Sequence, residues 1–216
     1  MKPKDRLRRA RLLLVTDPRP DLVARVEAAL RGGVDVVQLR DKRAPGGELL
    51  SLAVALKEIC EQVGALFTVN DDVELARLSG AAGVHVGQED ALVASAREML
   101  APGAIVGRSV GNVNEACGAI QEGADYLGVG TVYYTPTKPD ARVAGPTLLK
   151  EVARLKPRIP WFAIGGVTLE TARAVADVGA PGFAVVRAVL DAEDPEVAAR
   201  KLRSYLPNHL EGCLRG

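Results

Sequence analysis

Three short stretches gather side chains able to hold a charged ligand: QLRDK at 38–42, VNDD at 69–72 and TPTK at 135–138. Side chains alternate along a strand, so Gln38, Arg40 and, with the extended geometry continued, Lys42 share one face. An amide and two cations converging on a pocket suit phosphate or pyrophosphate. A surface salt-bridge cluster with Asp41 is the other reading of QLRDK taken alone. In VNDD, a carboxylate at a strand's end either ligates Mg²⁺ or caps the next helix. Asp71 suits the first role, and Asp72, at the start of VELARLSG, the second. GQED at 87–90 brings a second carboxylate, Asp90, one unit further on. The alternative there is that Glu89 and Asp90 favour a helix N-terminus. Ser109 closes the run AIVGRSV, and Gly165 and Gly166 close WFAIGG. Two glycines allow close backbone approach and bare N–H groups for phosphate, although a tight turn needs them equally. His85, inside GVHVG, reads as a buried, hydrogen-bonded residue rather than a metal ligand.

These residues need elements that bring them together. Apolar runs recur at 11–17, 34–40, 66–70, 83–87, 104–110, 126–132, 161–166 and 183–189, separated by amphipathic stretches such as ELLSLAVALKEICEQVG and LETARAVADVGA. Continuous Val, Ile and Leu suit parallel strands covered on both faces, and the repeated GG or GA endings suit helix C-caps. Eight strand–helix units in 216 residues predict a single (β/α)8 barrel over the whole chain. An open, doubly wound sheet is the alternative. In such a barrel the active site lies at the C-terminal ends of the strands, where each stretch above falls. The start, with RLRRAR at 6–11, reads as a solvated basic leader over residues 1–10, and residues 208–216 as a flexible tail.

Composition narrows the function. A net charge of +1 and 4% aromatic residues offer neither the field nor the stacking surface for nucleic acid. LLLV at 12–15 is far too short for a membrane span or signal core. Cys60, Cys117 and Cys213 are odd in number and widely spaced, which predicts reduced thiols and a cytoplasmic location.

Taken in order, VVQLRDK, VNDD, GVHVGQED, GADYLGVGTVYYTPTKPDA and AIGGV resemble the thiamine-phosphate synthase family, from LLLVTDP to GFAVVRAV. The resemblance implies a transferase joining hydroxymethylpyrimidine pyrophosphate to hydroxyethylthiazole phosphate, with release of pyrophosphate. It implies that Gln38, Arg40, Lys42, Asn70, Ser109 and Lys138 hold the pyrimidine pyrophosphate, and that Asp71 and Asp90 ligate Mg²⁺. Thr135 and Thr137 would bind the thiazole phosphate, with backbone at Gly165, Gly166, Val186 and Arg187. Small-molecule substrates are the implied partners, with no nucleic acid or membrane; a homo-oligomer is left open. Two positions depart from the family's pattern. VGN follows GRS where the family commonly has an Ala-His-Thr-like string, and Arg187 stands where a serine is more usual. Arg187 either contacts phosphate or points outward to a helix carboxylate. The rival readings are a thiazole tautomerase of the same fold, which would want a histidine where Gly111 stands, a generic phosphate-binding isomerase and a non-catalytic binder of thiamine intermediates.

Overall fold

The computed structural model describes residues 1–43, 46–87 and 93–206. Eight parallel strands close into a barrel in sequence order: β1 (Leu12–Val15), β2 (Val36–Leu39), β3 (Leu66–Asn70), β4 (Gly83–Val86), β5 (Ile105–Val110), β6 (Tyr126–Val129), β7 (Trp161–Ile164) and β8 (Phe183–Val185). Closure of β8 on β1, with Leu13 opposite Ala184, removes both sheet edges and excludes the open doubly wound alternative. The strands are buried along nearly their whole length because both faces are covered, which is why the sequence shows apolar runs rather than alternation.

Helices surround the strands: α1 (Pro3–Arg9), α2 (Leu22–Arg31), α3 (Gly46–Val63), α4 (Val73–Ser79), α5 (Val93–Met99), α6 (Val113–Gln121), α7 (Gly145–Leu155), α8 (Ala172–Asp177), α9 (Arg187–Leu190) and α10 (Pro195–Ser204). Outward strand residues such as Leu12, Leu14, Val37 and Val84 pack against them in the larger apolar cluster. A second cluster fills the lumen with Leu13, Val15, Val36, Leu66, Ile105, Tyr126 and Phe162. No helix among the described residues is long and apolar enough to cross a membrane. Cys60 is buried and its thiol is pushed up to about 12, by burial first and then by Glu61, so it packs as an inert small hydrophobe. Cys213 lies outside the described residues, as does the expected tail.

Two segments differ from the sequence expectation. The basic start is not a solvated leader: residues 3–9 form α1, and Leu7, 2% exposed, plugs the N-terminal end of the lumen with Ala10. Lys4 ties the helix to Asp125 at 2.7 Å. One apolar side chain suffices because the arginines around it stay on the solvent side. Leu7→Ala is expected to cost about 3 kcal/mol, read as a lower midpoint in urea unfolding. The eighth apolar run does not continue as strand to residue 189. It leaves extended geometry at Val186 and turns into α9.

Candidate active site

Strand alternation places Gln38 in the lumen, and the register sets Gln38 beside Thr68, Asn70 beside His85 and His85 beside Gly107. The result is a polar floor under the C-terminal mouth. Gln38, 3% exposed, donates from Nε2 to the Tyr126 hydroxyl at 3.4 Å. That hydroxyl lies 3.1 Å from His85 Nδ1, and His85 Nε2 lies 2.8 Å from Ser109 Oγ. A neutral imidazole donates from one nitrogen and accepts at the other, so in either tautomer it transmits an orientation from Tyr126 to Ser109. Burial raises the Tyr126 phenol far above its usual range, opposed by hydrogen bonds from Thr68 and Gln38, so it stays protonated. His85 is thus the buried, hydrogen-bonded residue its sequence position predicts. Tyr126 and Thr68 were not legible as site residues.

Space for these rings comes from a glycine. A Cβ at Gly107 would lie 2.2 Å from Tyr126 Cζ and 2.6 Å from His85 Nδ1.

Above the floor stands Asp71. Its backbone has φ 61°, a left-handed conformation that costs a non-glycine residue energy and that Asp tolerates better than most. Its N–H donates to the His85 carbonyl at 2.8 Å. One carboxylate oxygen accepts from Asn70 Nδ2 at 2.6 Å and the other from the Gly87 N–H at 3.2 Å. Lys42 Nζ approaches to 3.8 Å. This carboxylate is held in place and still partly exposed, and its oxygens are of the kind a hard cation takes. Mg²⁺ needs only one or two such groups beside substrate oxygens and water, so Asp71 fits it. The expected second ligand, Asp90, lies outside the described residues. Asp72 takes the capping role, accepting from the Leu75 N–H at 2.8 Å.

The QLRDK residues divide their tasks. Lys42 reaches across to Asp71, whereas Asp41 accepts from the Arg43 N–H at 2.7 Å. Arg40 has no ion pair among the described residues. Its backbone is fixed by the buried Thr16 hydroxyl, which accepts from the Arg40 N–H at 2.9 Å. Its side chain lines a cavity of about 330 Å³ with Thr16, Arg19 and Glu48.

On the far side of the mouth, the loop at 130–144 is stitched to the end of β7. The Val132 N–H donates to the Ile164 carbonyl and the Tyr133 N–H to the Gly165 carbonyl, each at 3.0 Å. Here the two glycines are required by the loop itself. A Cβ at Gly165 would meet Thr131 Cγ2 at 2.4 Å, and one at Gly166 would meet Tyr133 Cβ at 2.6 Å. The Thr135 hydroxyl accepts from the Thr137 N–H at 3.3 Å, which leaves its own proton to donate outward. Thr137 is half-buried and Lys138 exposed at the loop's tip.

Ile164 pairs with Ala184, so the ends of β7 and β8 adjoin, bringing Gly165 and Gly166 beside Val186 at the N-terminus of α9. The Arg187 guanidinium lies 4.0 Å from Asp191, one turn further on at the end of α9, which is the helix carboxylate of the outward alternative. Arg19, which the sequence did not single out, bonds Asp17 and Asp191 at 2.7 Å each and the Leu190 carbonyl, clamping α9 to the loop after β1. The departing VGN string has a local purpose. Asn112 caps α6 by accepting from the Glu115 N–H at 2.9 Å, while Glu115 accepts from the Gly111 N–H at 2.7 Å. Glu115 also accepts from Asn112 Nδ2 at 2.5 Å, so the pairing is reciprocal in the manner of a capping box, shifted by one backbone N–H.

Fold and rim together define the class: a (β/α)8 barrel with cationic, acidic and hydroxyl side chains at the C-terminal ends of its strands. The chain belongs to the thiamine monophosphate synthase family, whose model matches residues 12–189. It is 46% identical over 200 residues to a thiamine-phosphate synthase of Nostoc sp., covering 93% of this chain and 57% of that protein. The chain thus spans little more than half of that relative's length. A thiamine-phosphate synthase of Mycobacterium bovis is 44% identical and is covered over 97% of its length. Among solved structures, a thiamine phosphate pyrophosphorylase from Pyrococcus furiosus superposes with a TM-score of 0.84 at 38% identity, covering 94% of this chain and 96% of that one.

Proposed function

We propose that this chain is a thiamine-phosphate synthase, a transferase that joins hydroxymethylpyrimidine pyrophosphate to hydroxyethylthiazole phosphate and releases pyrophosphate. The observation that carries the reading is the rim itself. Asp71, fixed by Asn70 and Gly87, has Lys42 at 3.8 Å near a buried polar floor, while Arg40 follows the end of β2 and Lys138 is exposed on the 130–144 loop, in a member of this family.

Arg40, Lys42 and Lys138 neutralise the charge that pyrophosphate develops as it leaves. Gln38, Asn70 and Ser109 orient the same substrate, Ser109 with its hydroxyl direction fixed through His85. Mg²⁺, held by Asp71 and by the expected Asp90, would add charge neutralisation at the leaving group. The aminopyrimidine is electron-rich, so its methylene C–O bond ionises before the thiazole nitrogen supplies the pair for the new C–N bond. No protein nucleophile is required. Thr135, Thr137 and backbone at Gly165, Gly166, Val186 and Arg187 take the thiazole phosphate. The 130–144 loop, rooted on β7 and polar at its tip, acts as a lid that excludes water.

A tautomerase is disfavoured at Gly111, whose N–H is committed to the α6 cap and which offers no group to move a proton. We place the protein in a reducing cytoplasm, on the strength of its odd cysteine count and free, inert Cys60. Because Arg19 holds α9 through Asp191 and the Leu190 carbonyl, Arg19→Ala is expected to raise KM for the thiazole phosphate about tenfold. Steady-state kinetics with each substrate varied in turn checks this. The function itself is tested by pyrophosphate release from the purified chain, which should require both substrates and Mg²⁺. Turnover of a lone thiazole carboxylate would favour the tautomerase, and tight binding without product would favour a binder.

A further inference from the structure

The opposite end of the barrel holds a cavity of about 470 Å³, within the range of small-molecule sites. It is bounded by the α1–β1 junction, the α7–β7 connection and the turn before β8. Its charge is one-sided: Arg8, Arg11, Lys156 and Arg158 line it, and among the described residues no acidic side chain does. In a chain with 28 basic and 27 acidic residues, that is a local excess.

The nearby acids are already engaged. Asp35 accepts from the Arg11 and Leu12 N–H groups at 2.7 and 2.9 Å and binds the Arg203 guanidinium. Asp5 lies 3.8 Å from Arg8, with both side chains at least half exposed. Lys156 and Arg158 have no ion pair among the described residues. Arg11 donates from Nη1 to the Ala10 carbonyl at 2.8 Å and to Arg8 at 3.3 Å, while its Nε is buried without a partner. Burial lowers the Arg11 pKa, and Arg203 lowers it further against the pull of Asp35, so the guanidinium is under-compensated. Lys156 follows the C-terminus of α7, where a cation favours the helix dipole, but that accounts for one cation of the four. The remaining wall is apolar: Ile159, Trp161 and three prolines.

We propose that this end of the barrel carries a second anion site, which takes a phosphate-bearing small molecule with its apolar part against Ile159 and the prolines, beside the 5%-exposed edge of Trp161. It is separate from the mouth, because Trp161 opens β7 and Gly165 follows its end, roughly 13 Å along the strand. The site does not depend on which reaction the mouth performs.

Trp161 is the single tryptophan of the chain and reports on the site directly. Inorganic pyrophosphate is titrated in Mg²⁺-free, low-salt buffer while Trp161 fluorescence is followed, and calorimetry counts the sites. A saturable fluorescence change is expected in the wild type. In the double variant Lys156→Glu with Arg158→Glu, its apparent affinity should fall at least about tenfold, with one site fewer by calorimetry. The conservative pair Lys156→Arg with Arg158→Lys should retain it, and Asp71→Asn, at the mouth, should leave it unchanged. Both replaced side chains are exposed, and circular dichroism confirms folding. The proposal is overturned by a site count that the double variant does not reduce. It is equally overturned by the same fluorescence change with chloride at matched ionic strength, or by loss of the response in Asp71→Asn.

Discussion

Asp71→Asn is expected to lower kcat for pyrophosphate release about a hundred- to a thousand-fold, the usual loss when one preorganised electrostatic group at a leaving centre is removed. The substitution is nearly isosteric and tolerates the left-handed backbone at φ 61°, since Asn enters that region as readily as Asp. The Gly87 N–H still finds an acceptor, so the fold is kept. What is lost is the negative charge that holds a divalent cation and draws Lys42 to 3.8 Å. Assayed over a Mg²⁺ series at saturating substrates, the variant should also need far more Mg²⁺ for half-maximal rate. A rate within twofold of the wild type at every Mg²⁺ concentration would remove Asp71 from the metal site.

The second large effect is on stability. Gly107→Ala would drive a methyl group into Tyr126, which is fully buried and held by Gln38 and His85, and cannot yield. A loss of about 3 kcal/mol follows from overpacking, or roughly 10 °C in Tm for a chain of this length. Gly118→Ala is the matched control. It lies within α6 with nothing within 4 Å of the added Cβ, and is expected to stabilise by a few tenths to about 1 kcal/mol. If scanning calorimetry finds the two variants equally stable, the interior packing described around His85 is wrong.

The contrast between these glycines marks what the sequence could and could not disclose. Strand alternation puts Gln38 in the lumen because a two-residue period is local information, whereas Arg40 stands one residue past the end of β2. Asp72 as a helix cap was readable for the same reason. The Tyr126–His85–Ser109 chain was not, because it depends on register between three strands, and an aromatic inside YLGV reads as ordinary core. The Lys42–Asp71 pair likewise joins ends of different strands, while the sequence offers the adjacent Asp41 as partner. FAVVRAV carries three valines in seven residues and reads as strand, yet it turns at Val186 because the barrel closes after three strand residues and α9 begins. The basic run at the N-terminus hid α1, since one buried leucine in a short helix leaves almost no periodicity to detect. VGN departs from the family's pattern beside Ser109, and its role as a cap depends on Glu115 returning to Gly111 and Asn112.

The central claim is that side chains from separate strands and one loop meet on a single diphosphate at the C-terminal mouth. A crystal structure of the chain grown with Mg²⁺ and pyrophosphate tests it most directly. Metal density on Asp71, with pyrophosphate oxygens touching Arg40, Lys42 and Lys138, is the result expected. Pyrophosphate bound away from Arg40 and Lys138, with no metal at Asp71, would contradict it.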